Sequence, residues 1–344
     1  MNSATSVTSV AVVGAGSWGT TIAALLSANA PTTVWARDPA VADSIATEHR
    51  NEAYLAGLEL PAALRASADI SAVCTDADVV VMAVPSHGFR AVLSQVADVI
   101  APDVPVVSLA KGVERDTLLR MTEVVLDVLV GHDPGKVATL TGPNLAREIA
   151  EGQPAASVVA CTDGPTVDRL QQLFMTERFR VYTNPDVVGC EIAGATKNLI
   201  AMAVGTAAGL GYGDNTQAAL ITRGLAEVTR LGVAMGGQPL TFAGLAGLGD
   251  LVATCTSSLS RNRRVGVELG RGRSLDDILS SSNMVAEGVH STSAVLALAE
   301  RVGVEMPIAS ICGAVLHDGR RPADLVADLM LREAKAELHG LGPQ

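Results

Sequence analysis

The run Gly14-Ala15-Gly16-Ser17-Trp18-Gly19 restricts the fold of this chain more than any other segment. A short β-branched stretch, Ser9-Val10-Ala11-Val12-Val13, precedes it, and a helix-forming stretch, Thr20 to Leu26, follows. A Gly-x-Gly-x-x-Gly spacing is common by itself. Between a strand and a helix it acquires a mechanical meaning. Gly14 permits the tight turn, Gly16 lets the backbone approach a pyrophosphate, and Gly19 lets helix and strand pack closely. The helix start then offers unpaired N–H groups and a positive dipole end to phosphates. A nicotinamide or flavin nucleotide is the expected ligand.

The second strand, Pro31 to Ala36, ends at Arg37-Asp38. An acidic residue at that place bonds a ribose 2′-hydroxyl, whereas an arginine accommodates a 2′-phosphate. Arg37 therefore argues for NADP, and Asp38 leaves NAD open. Read blandly, Arg37 is a solvated loop residue.

With 344 residues the chain is long for a single core, so two domains are expected. Further apolar strands are read at Asp78–Pro85, Val104–Leu109, Val137–Thr141 and Ala155–Ala160, separated by helical stretches. That alternation is the pattern of an α/β, Rossmann-type, largely parallel sheet over residues 1–185. In such a sheet ligands lie beyond the C-terminal strand ends, so Gly14–Gly19, Arg37, Pro85, Lys111 and Gly142-Pro143-Asn144 should gather along one crevice. From 186 to 344 the pattern is helical, giving an all-α C-terminal domain. The net charge of −11 speaks against nucleic acid and anionic membranes as partners. Five singly scattered cysteines, no metal-ligand spacing and a polar N-terminus without a basic region indicate reduced thiols, no metal and a cytoplasmic location.

The C-terminal half opens on a helix from Val187 to about Leu210 whose only charged residues are Glu191 and Lys197. It is long enough to span a membrane, but the internal charges and glycines indicate a buried core helix instead. A lysine there is costly without a partner or a task, and burial makes a lysine usable for proton transfer near neutrality. Lys197-Asn198 is thus the candidate catalytic pair; the bland reading is a lysine snorkelling to the surface. Gly244 to Leu251 is Gly-rich and leaves one carboxylate, Asp250. Ser260-Arg261-Asn262-Arg263-Arg264 opens another helix, with Ser260 as N-cap, and is either an anion site or a solvated basic turn. His87 stands at a strand end, where it touches cofactor or is a loop residue.

These segments together resemble the bacterial glycerol-3-phosphate dehydrogenase (NAD(P)+) family. The similarity runs through Gly14–Thr20, Leu109-Ala110-Lys111-Gly112, Gly142-Pro143-Asn144-Leu145-Ala146 with Glu148, Ala195-Thr196-Lys197-Asn198, Gly209–Asn215 and Ala218–Gly224. It continues through Thr241–Asp250, Ser260–Arg264 and Ala286-Glu287-Gly288. The resemblance implies interconversion of dihydroxyacetone phosphate and glycerol 3-phosphate with NADP or NAD, supplying phospholipid synthesis. It implies Lys197 as general acid/base, with Asp250 and Lys111 completing the polar cluster at the reacting oxygen. Lys111, Gly142, Asn144, Lys197, Asn198, Asp250, Ser260, Arg261 and Asn262 would bind substrate. Gly14, Gly16, Ser17, Trp18, Gly19, Arg37, Lys111, Ala146, Arg261, Val285 and Glu287 would bind the dinucleotide. Asn144 departs from the Ser or Thr usual in the family, which weakens the expectation of a side-chain contact there.

Two other readings stay open at this level. One is a dehydrogenase of the same architecture acting on a β-hydroxy acid, which needs a carboxylate site in place of a phosphate site. The other is a non-catalytic NADP-binding sensor. The apolar helical half is compatible with a homodimer.

Overall fold

The computed structural model describes residues 7–280 and 287–323, together with 331, 333, 336 and 337. Eight strands form one sheet: β1 (Val10–Val13), β2 (Thr32–Trp35), β3 (Arg65–Ser67), β4 (Val79–Met82), β5 (Val106–Ser108), β6 (Val137–Thr141), β7 (Ala155–Ala160) and β8 (Phe179–Asn184). Their order is β3-β2-β1-β4-β5-β6-β7-β8. All neighbours through β6 are parallel; β7 turns back against β6, and β8 runs parallel to β7. Val12 lies opposite Val34 on one side and Val81 on the other. Every residue of β1 and β4 is buried, as strands covered on both faces require, which explains their unbroken valine-rich composition.

Two strands escape the sequence reading. β3 is three residues long at the sheet edge and carries no apolar run. β8 alternates: Phe179 and Val181 point inward, while Arg180 and Tyr182 point outward, with the guanidinium 5.3 Å from the ring centre. That period of two was available in Phe-Arg-Val-Tyr, but it belongs to a half-solvated edge strand and not to the continuous apolar type.

The chain divides into two compact units. The first runs through Lys111 and resumes over Arg120–Val187; the second takes Gly112–Leu119 and the described residues from Val188 onward. The second boundary falls between Val187 and Val188. The short excursion Gly112–Leu119 goes with the second unit because Val113 and Leu118 pack among its apolar side chains.

The second unit is helical and built around Val187–Gly209. Among the described residues this is the one helix long and apolar enough to cross a membrane, and most of it is buried inside the unit. Its C-terminal half packs backbone to backbone on the helix Arg261–Gly270. A methyl group on Gly205 would stand 2.2 Å from the Arg263 carbonyl oxygen, and one on Gly266 would stand 2.1 Å from that of Met202. Gly209 and Gly270 repeat the arrangement one turn on. The helix Pro307–His317 has no side-chain N-cap of its own. Instead Glu227, buried on the helix Asp214–Ala234, accepts from the Ile308 and Ala309 N–H groups at 2.8 to 3.3 Å. A carboxylate there satisfies orphan donors and meets the positive end of the helix dipole.

Two outcomes follow from this packing. Gly266→Ala should destabilise the protein by about 2 kcal/mol, as overpacking does, measured as a lower urea midpoint by circular dichroism. His132 is 6% exposed, and burial holds its imidazole below the ordinary 6.5. The folded state therefore prefers neutral His132, so this contribution is complete above pH 6.5 and declines as pH falls through 6.5 toward the folded-state value. Melting temperature should drop more between pH 7.5 and pH 5.5 in the wild type than in His132→Leu, with both values set by about one unit either side of a histidine's usual range.

Candidate active site

In the first unit the parallel strands place their following turns on one edge of the sheet. β1 leads into Gly14, β2 into Arg37, β4 into Pro85, β5 into Lys111 and β6 into Gly142. Gly14 has φ +118°, and a methyl on it would stand 2.7 Å from the Ala83 carbonyl oxygen. A methyl on Gly19 would stand 1.9 Å from the Gly14 oxygen, so the helix Ser17–Leu26 can lie this close only with glycine. Gly16 differs, because the space beyond its Cα is open for 4 Å. No side chain caps this helix. Uncapped N–H groups beside an open Cα suit a pyrophosphate, so the turn fits a dinucleotide.

The residues around the turn take distinct positions. Ser17 Oγ donates to the Tyr54 carbonyl at 2.9 Å. The Trp18 ring tilts against Phe179 with centroids 6.4 Å apart, so its indole is engaged in packing and its backbone N–H lies in the first helical turn. Asp38 caps the short helix Pro39–Asp43 by accepting from Ala40 N at 3.0 Å, while Arg37 is exposed at the strand end. Lys111 Nζ donates to the Gly142 carbonyl at 3.0 Å. Asn144 turns its amide to Ser157 Oγ at 3.1 Å, and Ser157 donates to the Thr141 carbonyl at 2.8 Å. The Asn144 side chain is thereby drawn toward β7. Ala146 begins the helix Ala146–Ala150, and its carbonyl accepts from Thr21 Oγ1 at 3.2 Å. His87 is exposed in the first turn of the helix Ser86–Leu93.

In the second unit Lys197 does not snorkel. It is 7% exposed, and its ammonium donates to the Asp250 carboxylate and, at 2.8 Å, to Thr254 Oγ1. Asp250 is 1% exposed. Thr254 lies one turn later on the helix Asp250–Thr256, and its hydroxyl also donates to the Asp250 carbonyl at 2.6 Å. The Gly-rich stretch before Asp250 forms a π-helical turn, Leu245–Gly249, a wider winding frequent at functional sites. Gly247 makes it feasible, since a methyl there would stand 2.2 Å from the Phe242 carbonyl oxygen. Burial pushes the Cys255 thiol, near this pair, up to about 12, so it stays protonated and is no nucleophile.

A second polar chain runs alongside. Asn262 Nδ2 donates to Asn198 Oδ1 at 2.9 Å, and Asn262 Oδ1 accepts from Gly288 N at 3.0 Å. Lys197 and Arg261 are thus adjacent in sequence to two residues that bond each other. Ser260 caps the helix Arg261–Gly270 by accepting from Arg263 N at 3.3 Å, and the Arg261 side chain is exposed at that helix start. Glu287 begins the helix Glu287–Arg301, whereas Val285 lies outside the described residues. Thr254 carried no assigned role in the sequence, although its spacing of four from Asp250 on a helix already placed it on the same face. Among the described residues no group of three or more His, Cys, Asp or Glu side chains is placed to hold a metal ion.

A mostly parallel sheet with a glycine turn at its strand ends characterises dinucleotide-binding proteins. Family models for the N-terminus and the C-terminus of NAD-dependent glycerol-3-phosphate dehydrogenase match residues 9–166 and 186–327. The chain belongs to that family. It is 56% identical over 330 residues to glycerol-3-phosphate dehydrogenase [NAD(P)+] 2 of Sphingopyxis alaskensis, covering 96% of this chain and 98% of that protein. It is 53% identical to glycerol-3-phosphate dehydrogenase [NAD(P)+] of Corynebacterium diphtheriae, covering 95% and 99%. The crystal structure of glycerol-3-phosphate dehydrogenase from Coxiella burnetii matches with a TM-score of 0.90 at 35% identity, covering 94% of this chain and 99% of that one.

The buried pair has a thermodynamic signature. Asp250→Leu should cost about 3–5 kcal/mol by leaving the Lys197 charge buried without its carboxylate, whereas Lys197→Met combined with Asp250→Leu should recover most of that loss. Urea denaturation of the two variants checks it.

Proposed function

We propose that the protein is a cytoplasmic NAD(P)-dependent glycerol-3-phosphate dehydrogenase that interconverts dihydroxyacetone phosphate and glycerol 3-phosphate, a precursor for phospholipid synthesis. The observation that carries the reading is the Lys197 ammonium, buried in an apolar helix and aimed at Asp250 and Thr254. A lysine held this way serves proton transfer. Lys197 gives a proton to the carbonyl oxygen during reduction and takes it back from the alcohol during oxidation. Asp250 and Thr254 hold the ammonium in one position, so little reorganisation accompanies the transfer.

The nicotinamide, when bound, supplies or accepts the hydride. Gly14, Gly16, Gly19, Ser17 and the N–H of Trp18 hold the pyrophosphate portion, with Ala146 flanking. The family resemblance adds Arg261, Val285 and Glu287 as dinucleotide-binding residues. Lys111 and Gly142 bind the substrate end of the strand edge, and Lys111 also meets the cofactor. Ser260, Arg261 and Asn262 grip the substrate phosphate at a helix start, where the positive end of the dipole and a guanidinium favour an anion. Gripping the phosphate orients the carbon to be reduced, which lowers the entropic part of the barrier. Asn198 and Asn144 also serve the substrate side; Asn198 Oδ1 accepts from Asn262, and Asn144 Nδ2 donates to Ser157 while its Oδ1 has no hydrogen-bond partner among the described residues. Homodimerisation belongs to the same reading, supported by Leu240, Leu248, Val252 and Leu259 exposed on the helical unit.

Asp38 is occupied as a helix cap, which leaves Arg37 as the group available to a 2′-phosphate. NADPH should therefore be preferred over NADH, and Arg37→Ala should narrow that preference by about 5- to 10-fold, the value of one charged contact. The decisive assay is oxidation of NADPH and NADH in the presence of dihydroxyacetone phosphate. Wild type should turn over, and Lys197→Ala should lose about 10²- to 10⁴-fold in kcat while still binding NADPH. A folded wild type that binds NADPH and does not reduce dihydroxyacetone phosphate would overturn the substrate assignment.

A further inference from the structure

Asn51 is 1% exposed and lies just before a single helical turn, Glu52–Leu55. It sits far from the glycine motif in sequence and carries none of the features that mark a nucleotide contact. In the fold its side chain reaches the middle of that motif. Nδ2 donates to the Ala15 carbonyl at 2.9 Å and to Thr20 Oγ1 at 2.8 Å. Thr20 is itself fully buried. The Ala15 carbonyl can only accept, so the amide nitrogen must face it and the orientation of the carboxamide is unambiguous. From the same segment the Tyr54 carbonyl receives the Ser17 hydroxyl. Residues 51–54 thus grip the glycine turn at three places within two turns of chain.

The consequence comes from the rigidity of the peptide unit. Ala15 C=O and Gly16 N–H belong to one plane and point in opposite directions. Drawing the carbonyl inward to Asn51 turns the Gly16 N–H outward, toward the side where the Gly16 Cα faces open space. That is the face on which a pyrophosphate would seat. Glycine leaves this peptide unusually free to rotate, so an outside restraint is needed to hold one orientation before ligand arrives. The cost is visible at the other end of the carboxamide: Asn51 Oδ1 is buried with no hydrogen-bond partner among the described residues. A buried acceptor left in that state calls for an explanation beyond packing.

We propose that Asn51 is a positioning residue for dinucleotide binding: it pre-sets the Ala15–Gly16 peptide so that the Gly16 N–H faces the pyrophosphate. The residue touches neither substrate nor reacting atoms. Its effect falls on cofactor affinity and leaves the chemical step alone. The inference rests on the dehydrogenase reading above.

The test uses the full-length protein with Asn51→Asp, Asn51→Ala and Thr20→Val. Asn51→Asp keeps the shape but sets a carboxylate oxygen against the Ala15 carbonyl; Thr20→Val removes only the second acceptor and preserves buried volume. NADPH affinity is read by its fluorescence on binding, alongside KM for each substrate, kcat and the melting temperature without ligand. Both Asn51 variants should weaken NADPH by about 10-fold or more, the scale of a lost bond to an ionised group, and Thr20→Val by about 3-fold. The KM for dihydroxyacetone phosphate and kcat at saturating NADPH should stay within about 3-fold, the scale of a neutral contact. A structural role would instead lower the melting temperature and active fraction while leaving NADPH affinity per folded molecule unchanged, and that outcome overturns the proposal. If the Asn51 variants do not fold, Thr20→Val decides: unchanged NADPH affinity overturns it. Wild type that binds no NADPH would defeat the dehydrogenase reading itself, a result distinct from variants that match a binding wild type.

Discussion

A lysine buried in the middle of an apolar helix is the constraint on which the second unit turns. Removing an ammonium from water costs several kcal/mol even in real interiors. Lys197 meets that cost with one carboxylate and one hydroxyl, both delivered by a single helix whose start is wound as a π turn. The rest of the unit serves that meeting. The facing glycines of Val187–Gly209 and Arg261–Gly270 bring two backbones into contact, and the Asn198–Asn262 bond locks the register between them. A hydrophobic pair in place of Lys197 and Asp250 would come close to it in stability. The pair is therefore better explained by chemistry than by stability.

The first unit works from a different rule. Parallel strands deliver all their following turns to one edge, so residues scattered from Gly14 to Gly142 share a line without any long-range design. What distinguishes the turns is local. The three glycines of the first turn have three different surroundings, one strained, one open and one pressed against backbone. Only the open one leaves room for a ligand. Asp38 and Arg37 stand side by side at the end of β2, and a helix cap separates their roles.

Much of this was legible from the chain. Continuous valine runs reported the central strands, since a strand covered on both faces has no polar side. Lys197 and Glu191 stood out because charge in an apolar helix is anomalous, and Ser260 before a helix announced a cap that the structure contains. β8 and β3 were not read, because edge strands are short or half polar and resemble loops. Asn51 carried no signal of its own, and Thr254 only its spacing of four from Asp250. A single polar residue in a loop or on a short helix has no periodicity, and its importance lies in which distant backbone group it meets.

The amino-acid sequence by itself determined the strand–glycine–helix start, the change from mixed to helical architecture and the presence of one buried cation. Each follows from local sterics or from the cost of burying charge, both functions of neighbouring residues. Tertiary structure alone decided that Gly112–Leu119 goes with the helical unit and that Asn51 holds Ala15. Those outcomes depend on hydrogen bonds and contacts between segments tens of residues apart, and no local pattern encodes such a partner.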